Sequence, residues 1–210
     1  MRFVTRIFTL VAVVCGALVG LEEPARSQTT RPAATRLEIQ AGSKAEYRVR
    51  EQLARLNFPN DAVGTTESVT GAIVVRPDGS FAPDSKLTID LQTLRTDEPK
   101  RDGFVRENTL ETSRYPRAEF VPLRQKGMPI PLPASGSANF QLIGDMTLHG
   151  VTAEQTWDVA ASFAGGAVTA KAATKFNFAK YKITIPRIFG LLSVDDDIRL
   201  ELNARMGRTP

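Results

Sequence analysis

Histidine, cysteine and tryptophan occur once each in the 210 residues, and these scarcities exclude whole classes of chemistry. A Ser-His-Asp or Cys-His nucleophilic site needs a histidine, and the second needs a thiol as well. His149 sits on the polar side of an alternating stretch, just before Gly150, and reads as an exposed surface residue. Structural zinc takes about four Cys or His ligands, more than this chain can supply. Gly165-Gly166 joins two strand-like stretches and opens no helix, so it is no phosphate loop. Asp195-Asp196-Asp197 lacks the spaced ligands of a calcium loop and reads as a solvated turn. No catalytic residue, metal or cofactor is expected. A formal charge of +4, spread along the chain, is too small to predict a nucleic-acid partner.

Arg2 and Arg6 precede an uncharged apolar run from Ile7 to Leu21, and Ala25-Arg26-Ser27 supplies small residues near its end. That layout predicts a secretory signal peptide over 1–27, hence a periplasmic or secreted protein. The run falls short of the ~20 residues that span a bilayer. Cys15 lies inside it, so the processed chain would carry no thiol and no disulfide. Cys15 as a lipidated residue fits less well, because Val14 is not small and the apolar core would be very short. Residues 28–42 are polar and aperiodic and read as a flexible leader, with the folded domain over 43–207.

Within that domain the dominant period is two, the mark of strands with one buried face. Ile198, Leu200, Leu202, Ala204 and Met206 alternate with Arg199, Glu201, Asn203 and Arg205. Trp157, Val159, Ala161 and Phe163 alternate with Thr156, Asp158, Ala160 and Ser162, and after Gly165-Gly166 the inward set continues through Val168, Ala170, Ala172, Phe176 and Phe178. Phe140, Leu142, Met146 and Leu148 form another inward face, as do Leu87, Ile89 and Leu91, while Phe120 falls in a further strand over 117–123. Glu51 shares parity with Val49 and Leu53, which predicts a buried carboxylate. The stretch Val69 to Val75 is too uniformly apolar to orient. Thr96 or Asp97 caps a short expected helix from about Glu98 to Leu110, and prolines 122, 129, 131 and 133 predict an extended excursion between two strands.

About eight such strands, with one short helix between strands 3 and 4, predict an all-β domain that can close into an antiparallel barrel or stack as two sheets, and closure removes the unpaired edges that an open sheet must protect. A barrel of that size is either filled by side chains or holds one slim ligand. Small inward residues, among them Ala161, Ala170 and Ala172, leave both outcomes open, since small and large residues also alternate in solid cores. The segment from Ile183 to Val194 contains seven large apolar side chains and one charge, as expected of a segment that covers an apolar opening or plugs a barrel end.

Four local patterns, in this order, resemble the YceI-like family of exported proteins. They are Ile89-Asp90-Leu91 with Leu94, Asp97 and Arg101-Asp102; Tyr115-Pro116-Arg117-Ala118-Glu119-Phe120; Gly144-Asp145-Met146-Thr147-Leu148-His149-Gly150-Val151-Thr152; and Arg187 with Phe189-Gly190. The resemblance implies an all-β, eight-stranded antiparallel lipocalin-like barrel whose apolar tunnel holds a long polyisoprenoid or similar amphiphile, with no catalysis. It departs at Leu53 to Asn60, which lacks the family's histidine, at Ile188, where the family commonly has Asp, and in the longer proline-rich excursion.

Parity and resemblance together nominate cavity-lining residues: Leu87, Ile89, Leu91 and Phe120; Phe140, Leu142 and Leu148; Trp157, Val159 and Ala161; and Ala170, Ala172, Phe176 and Phe178. Phe104, Ile185, Ile188, Phe189 and Leu191 are the expected entrance. The expected partner is a lipid, with transient membrane contact and a monomeric or homodimeric state both compatible. Two other readings stand beside this one, a lipid-modifying enzyme using buried Glu51 and a solid-core exported interaction protein. Apolar length alone suffices for affinity. Burying a chain of about 40 carbons at ~0.8 kcal/mol per methylene gives ~32 kcal/mol, beyond the ~18–21 kcal/mol at which non-covalent binding saturates, so chain ordering must cancel much of it.

Overall fold

The computed structural model describes residues 33–55, 57–187 and 190–209. The expected signal segment, and Ile188 and Phe189 of the expected entrance, lie outside the described residues. The strands are β1 (Thr35–Ile39), β2 (Lys44–Leu53), β3 (Asn60–Thr66), β4 (Val69–Val75), β5 (Lys86–Asp90), β6 (Arg117–Lys126), β7 (Ser135–Leu148), β8 (Val151–Ala164), β9 (Ala167–Phe176) and β10 (Leu191–Thr209). All pair antiparallel in the order β1-β4-β5-β6-β7-β8-β9-β10-β2-β3, and β1 also pairs with β10, which closes the ring.

Ten segments make eight staves because two staves are bent. β1 and β2 are one stave interrupted at Gly42-Ser43, where buried Ser43 takes the place of a ladder group: its Oγ donates to Gln40 O at 2.8 Å and accepts from Arg205 N at 3.0 Å. β3 and β4 are the other, creased at Glu67-Ser68, where Ser68 N donates to Thr66 Oγ1. Residues 35–39, expected in a loose leader, are therefore β1, and they complete the barrel by pairing with both β4 and β10. The alternation predicted for the last four staves is present. In β8 the inward side chains from Trp157 to Phe163 are buried or half-buried and the intervening ones are exposed, and Gly165-Gly166 makes the two-residue hairpin to β9. Closure leaves no unpaired edge through most of the barrel.

Three local expectations change. The helix is short: α1 (Pro99–Phe104) is capped by Glu98 rather than Thr96 or Asp97, and continues as one wide turn over Val105–Thr109. Thr96 instead donates from N and Oγ1 to buried Asp102, tying the strand exit to the helix. Pro122 belongs to β6, not to the excursion, and sits at a register shift where a missing N–H does no harm. Opposite it lies Gly144, where a Cβ would stand 2.2 Å from Val121 O, so only glycine permits that approach. The Asp195-Asp196-Asp197 run is not a turn but a bulge inside the 19-residue β10, with Asp196 Oδ1 accepting from Phe178 N at 2.7 Å.

Candidate ligand-binding cavity

The two ends of the barrel differ. At one end Phe163 of β8, Val168 of β9, Leu37 of β1, Val75 of β4 and Met206 of β10 join Phe81, Met128 and Leu132 in one packed cluster. Phe81 arrives on the β4–β5 connection. Met128 and Leu132 come from the proline-rich excursion, which turns inward and forms a floor. Arg208 fastens it, donating to Pro133 O at 2.6 Å and Leu132 O at 3.0 Å.

Above that floor the barrel is hollow. A cavity of about 750 Å3 lies within the range of about 300–1,000 Å3 typical of ligand sites. Its wall is almost wholly apolar. Leu87, Ile89, Leu91, Phe104, Phe120, Leu142 and Leu148 belong to it, together with Trp157, Val159, Ala170, Ala172, Phe176, Phe178 and Leu191. Leu142, Trp157, Ala170, Ala172 and Leu200 point inward yet are only half-buried, because their remaining exposure is to the hollow. Phe120 and Trp157 meet edge to face at 6.1 Å.

Three nominated residues sit elsewhere. Ala161 is buried in the floor cluster, Phe140 packs against that cluster, and Ile185 packs against the apolar cluster of the opposite half. Parity identified the inward face of Ala161 and Phe140 but carries no information about depth along the barrel axis, and the expectation of Ile185 at the entrance rests on the apolar composition of its segment. Residues the parity argument passed over also line the hollow, among them Ala62 and Ile73 on the creased stave and Leu94, Val105 and Leu110 around α1. Their apolar spacing is broken by the crease and by helical geometry, which a period of two does not register.

The hollow reaches the surface between the β2–β3 loop, the N-terminus of α1 and the chain entering β10, since exposed Ala54, Arg55, Lys100 and Gly190 belong to its lining. Ala54 N donates to Gly190 O at 2.9 Å, joining two sides of this mouth. Just inside is the main polar feature. Arg101 of α1 reaches Glu51 of β2 at 2.9 Å and Asp97 at 2.6 Å. Glu51 is buried, as its parity predicts, with Asn60 Nδ2 also donating to Oε1 at 3.4 Å. Tyr47, two periods of the alternation away on β2, lies over Gly64 of β3, where a Cβ would stand 2.1 Å from the ring. Burial pushes the Tyr47 hydroxyl up to about 12, with Asp102, Glu51 and Asp97 adding and Arg101 opposing. Tyr47 Oη, Thr109 Oγ1 and Trp157 Nε1, all on lining residues, find no hydrogen-bond partner among the described residues.

His149 is not the exposed residue expected. It takes a positive φ of 51° at the β7–β8 turn, which swings the ring inward off the strand's polar face. Its ring nitrogens lie 3.3 Å from Tyr181 O and 3.1 Å from Glu111 Oε1, and Tyr115 packs on it edge to face at 4.9 Å. It is absent from the cavity wall, and the described lining holds no histidine, cysteine or serine. No cluster of three or more metal-ligating side chains occurs among the described residues.

Residues 38–206 match the YceI-like domain. The chain belongs to this family. Solved structures of similar fold include a polyisoprenoid binding domain from Saccharophagus degradans implicated in plant cell wall breakdown, with 13% identity, a TM-score of 0.61, and coverage of 85% of this chain and 100% of that one. BcnA from Burkholderia cenocepacia has 17% identity and a TM-score of 0.58 over 78% of this chain and 95% of its own. The YCEI protein of Campylobacter jejuni has 17% identity and a TM-score of 0.54 over 70% and 85%. No curated protein matches the sequence. Membership and shared fold agree with the eight-stave barrel that the resemblance implies.

Proposed function

We propose that this YceI-like protein is a non-catalytic carrier that takes up the tail of a long apolar amphiphile, of polyisoprenoid or isoprenoid-quinone type, and shields it from water outside the cytoplasm. The observation that carries this reading is the hollow of about 750 Å3 with a nearly continuous apolar wall. Empty, such a wall exposes oily surface to a few poorly bonded waters. Each methylene that replaces them gains up to ~0.8 kcal/mol. Specificity for tail chemistry is correspondingly weak, because one methylene more or less discriminates little. The layout of residues 1–27 supports export.

Catalysis on the bound lipid is the second reading, and buried Glu51 is what favours it. The carboxylate is already committed to Arg101 and Asn60, and no histidine, cysteine or serine stands with it on the described wall. The arrangement therefore serves binding better than proton transfer. Native mass spectrometry of the purified protein tests the proposal: an apolar adduct is expected, with Ala172→Phe, which narrows the hollow, reducing both adduct and uptake of a fluorescent isoprenoid at least tenfold. A protein free of adduct that takes up no isoprenoid probe would overturn it. Ala161, buried in the floor cluster, is unsuitable for the same experiment because a larger side chain there overpacks the core.

A further inference from the structure

Large apolar side chains that stand in solvent are few among the described residues: Phe58 at 79% exposure, Leu192 at 67% and Leu123 at 50%. Two of them flank the cavity mouth. Phe58 is at the tip of the β2–β3 loop, whose first residue bonds Gly190, and Leu192 follows Leu191, which pairs with Leu53 where that loop begins. Both lie within a few residues of mouth-lining Ala54, Arg55 and Gly190.

The same rim carries cations without acid partners. Arg55, Lys100 and Arg187 are exposed, and none forms an ion pair among the described residues. Of the carboxylates nearby, Asp97 pairs with Arg101 and Asp197 with Arg199, Glu98 accepts from Lys100 N to cap α1 and Asp196 from Phe178 N, while Asp195 stands exposed further along β10. An exposed aromatic and leucine beside unpaired cations is the composition that inserts shallowly into the interface of an anionic bilayer. At the opposite end the barrel is floored and carries none of the three exposed apolar residues.

We propose that this rim docks the barrel, mouth down, on an anionic lipid membrane, so that a lipid tail passes from bilayer to cavity without crossing water. The surface is independent of what fills the cavity, though its purpose rests on the carrier reading above. Phe58 and Leu192 provide the apolar insertion, while Arg55, Lys100 and Arg187 provide attraction to the headgroups. A second copy of the chain is the rival occupant, but like cations on both faces would oppose such pairing.

Co-sedimentation of the purified protein, in the form cells accumulate, with vesicles of phosphatidylglycerol and phosphatidylethanolamine, or of phosphatidylcholine alone, provides the test. Binding is expected to the anionic vesicles, to weaken at least fivefold in high salt, and to weaken about tenfold in the Phe58→Ser/Leu192→Ser double variant. Arg187→Gln should weaken it less. Uptake of a soluble isoprenoid probe by the double variant should be unchanged, since neither residue lines the cavity. Equal binding to both vesicle types, no binding to either, or binding indifferent to the double variant would overturn the proposal. So would a dimer in ultracentrifugation that the double variant dissociates. Failure of probe uptake alone would instead strike at the carrier reading and leave the docking result intact.

Discussion

At the floor, Phe163, Val168 and Phe81 are locked with Met128 and Leu132 in one buried cluster. A few residues along the same β8 and β9, Trp157, Ala170 and Ala172 stay half-buried beside empty space. The two regions share strands, pairing and alternation. What separates them is the material delivered by the connections. The β4–β5 and β6–β7 connections send apolar side chains into one end, whereas the inward alanines of β9 and Ala204 of β10 leave the middle unfilled. Strands thus make a wall, and loops decide whether anything stands behind it.

That contrast is broken most directly by equal truncations at the two levels. Leu132→Ala, in the packed floor, should cost about 3 kcal/mol, while Leu142→Ala, already bordering the hollow, should cost about 1 kcal/mol, because little new void is created. Denaturant titration of both variants reads the difference, and equal losses would mean that the hollow is packed in solution. A second test concerns the polar feature near the mouth. Arg101→Met leaves Glu51 buried without its cation and should cost about 2 kcal/mol, of which Glu51→Gln in the same molecule should recover a large part. The same double variant should still take up an isoprenoid probe, which sharpens the distinction between a structural ion pair and a catalytic one.

The smallest effect is set by pH. Burial pushes Tyr47 and Tyr181 up from 10.0 to about 12. The folded protein thus keeps phenolic protons that the unfolded chain loses first. Stability should be unaffected by these groups below pH 10 and should fall as pH rises from 10 toward 12. Tyr47→Phe should flatten part of that fall, and at neutral pH it should be neutral or slightly stabilising, since the hydroxyl it removes has no partner among the described residues. Thermal melts across the alkaline range would show both. The exposed Arg124–Glu154 pair on the outer wall, by contrast, should leave melting unchanged when broken.

Much of this was legible in the sequence, and the reason is periodicity. Side chains from Trp157 to Phe163 and from Ile198 to Met206 announce their inward face because the opposite face is wet. The strands and their inward faces follow from that one signal, whereas closure into a hollow barrel comes only with the resemblance to the YceI-like family. It failed where something else replaced alternation. β1 is short and its partners lie far off in sequence, and its alternation of Leu37 and Ile39 with Arg36 and Glu38 is too brief to distinguish it from a leader. The floor was read as an excursion because prolines dominate it, although Met128, Ile130 and Leu132 alternate with them and give an extended segment one apolar side. His149 was misplaced because parity assumes that the strand continues, whereas a left-handed residue ends it. Ala161 shows the remaining gap, since facing inward and bordering empty space are different properties.

The floor has a consequence for cargo. A pipe open at both ends accepts a thread of any length, but a sleeve sealed by Met128 and Leu132 accepts only what its depth allows, and the surplus must hang outside. The barrel is in that sense a gauge. Swapping bulk at those two positions would reset the longest tail it can swallow without altering the wall that grips it.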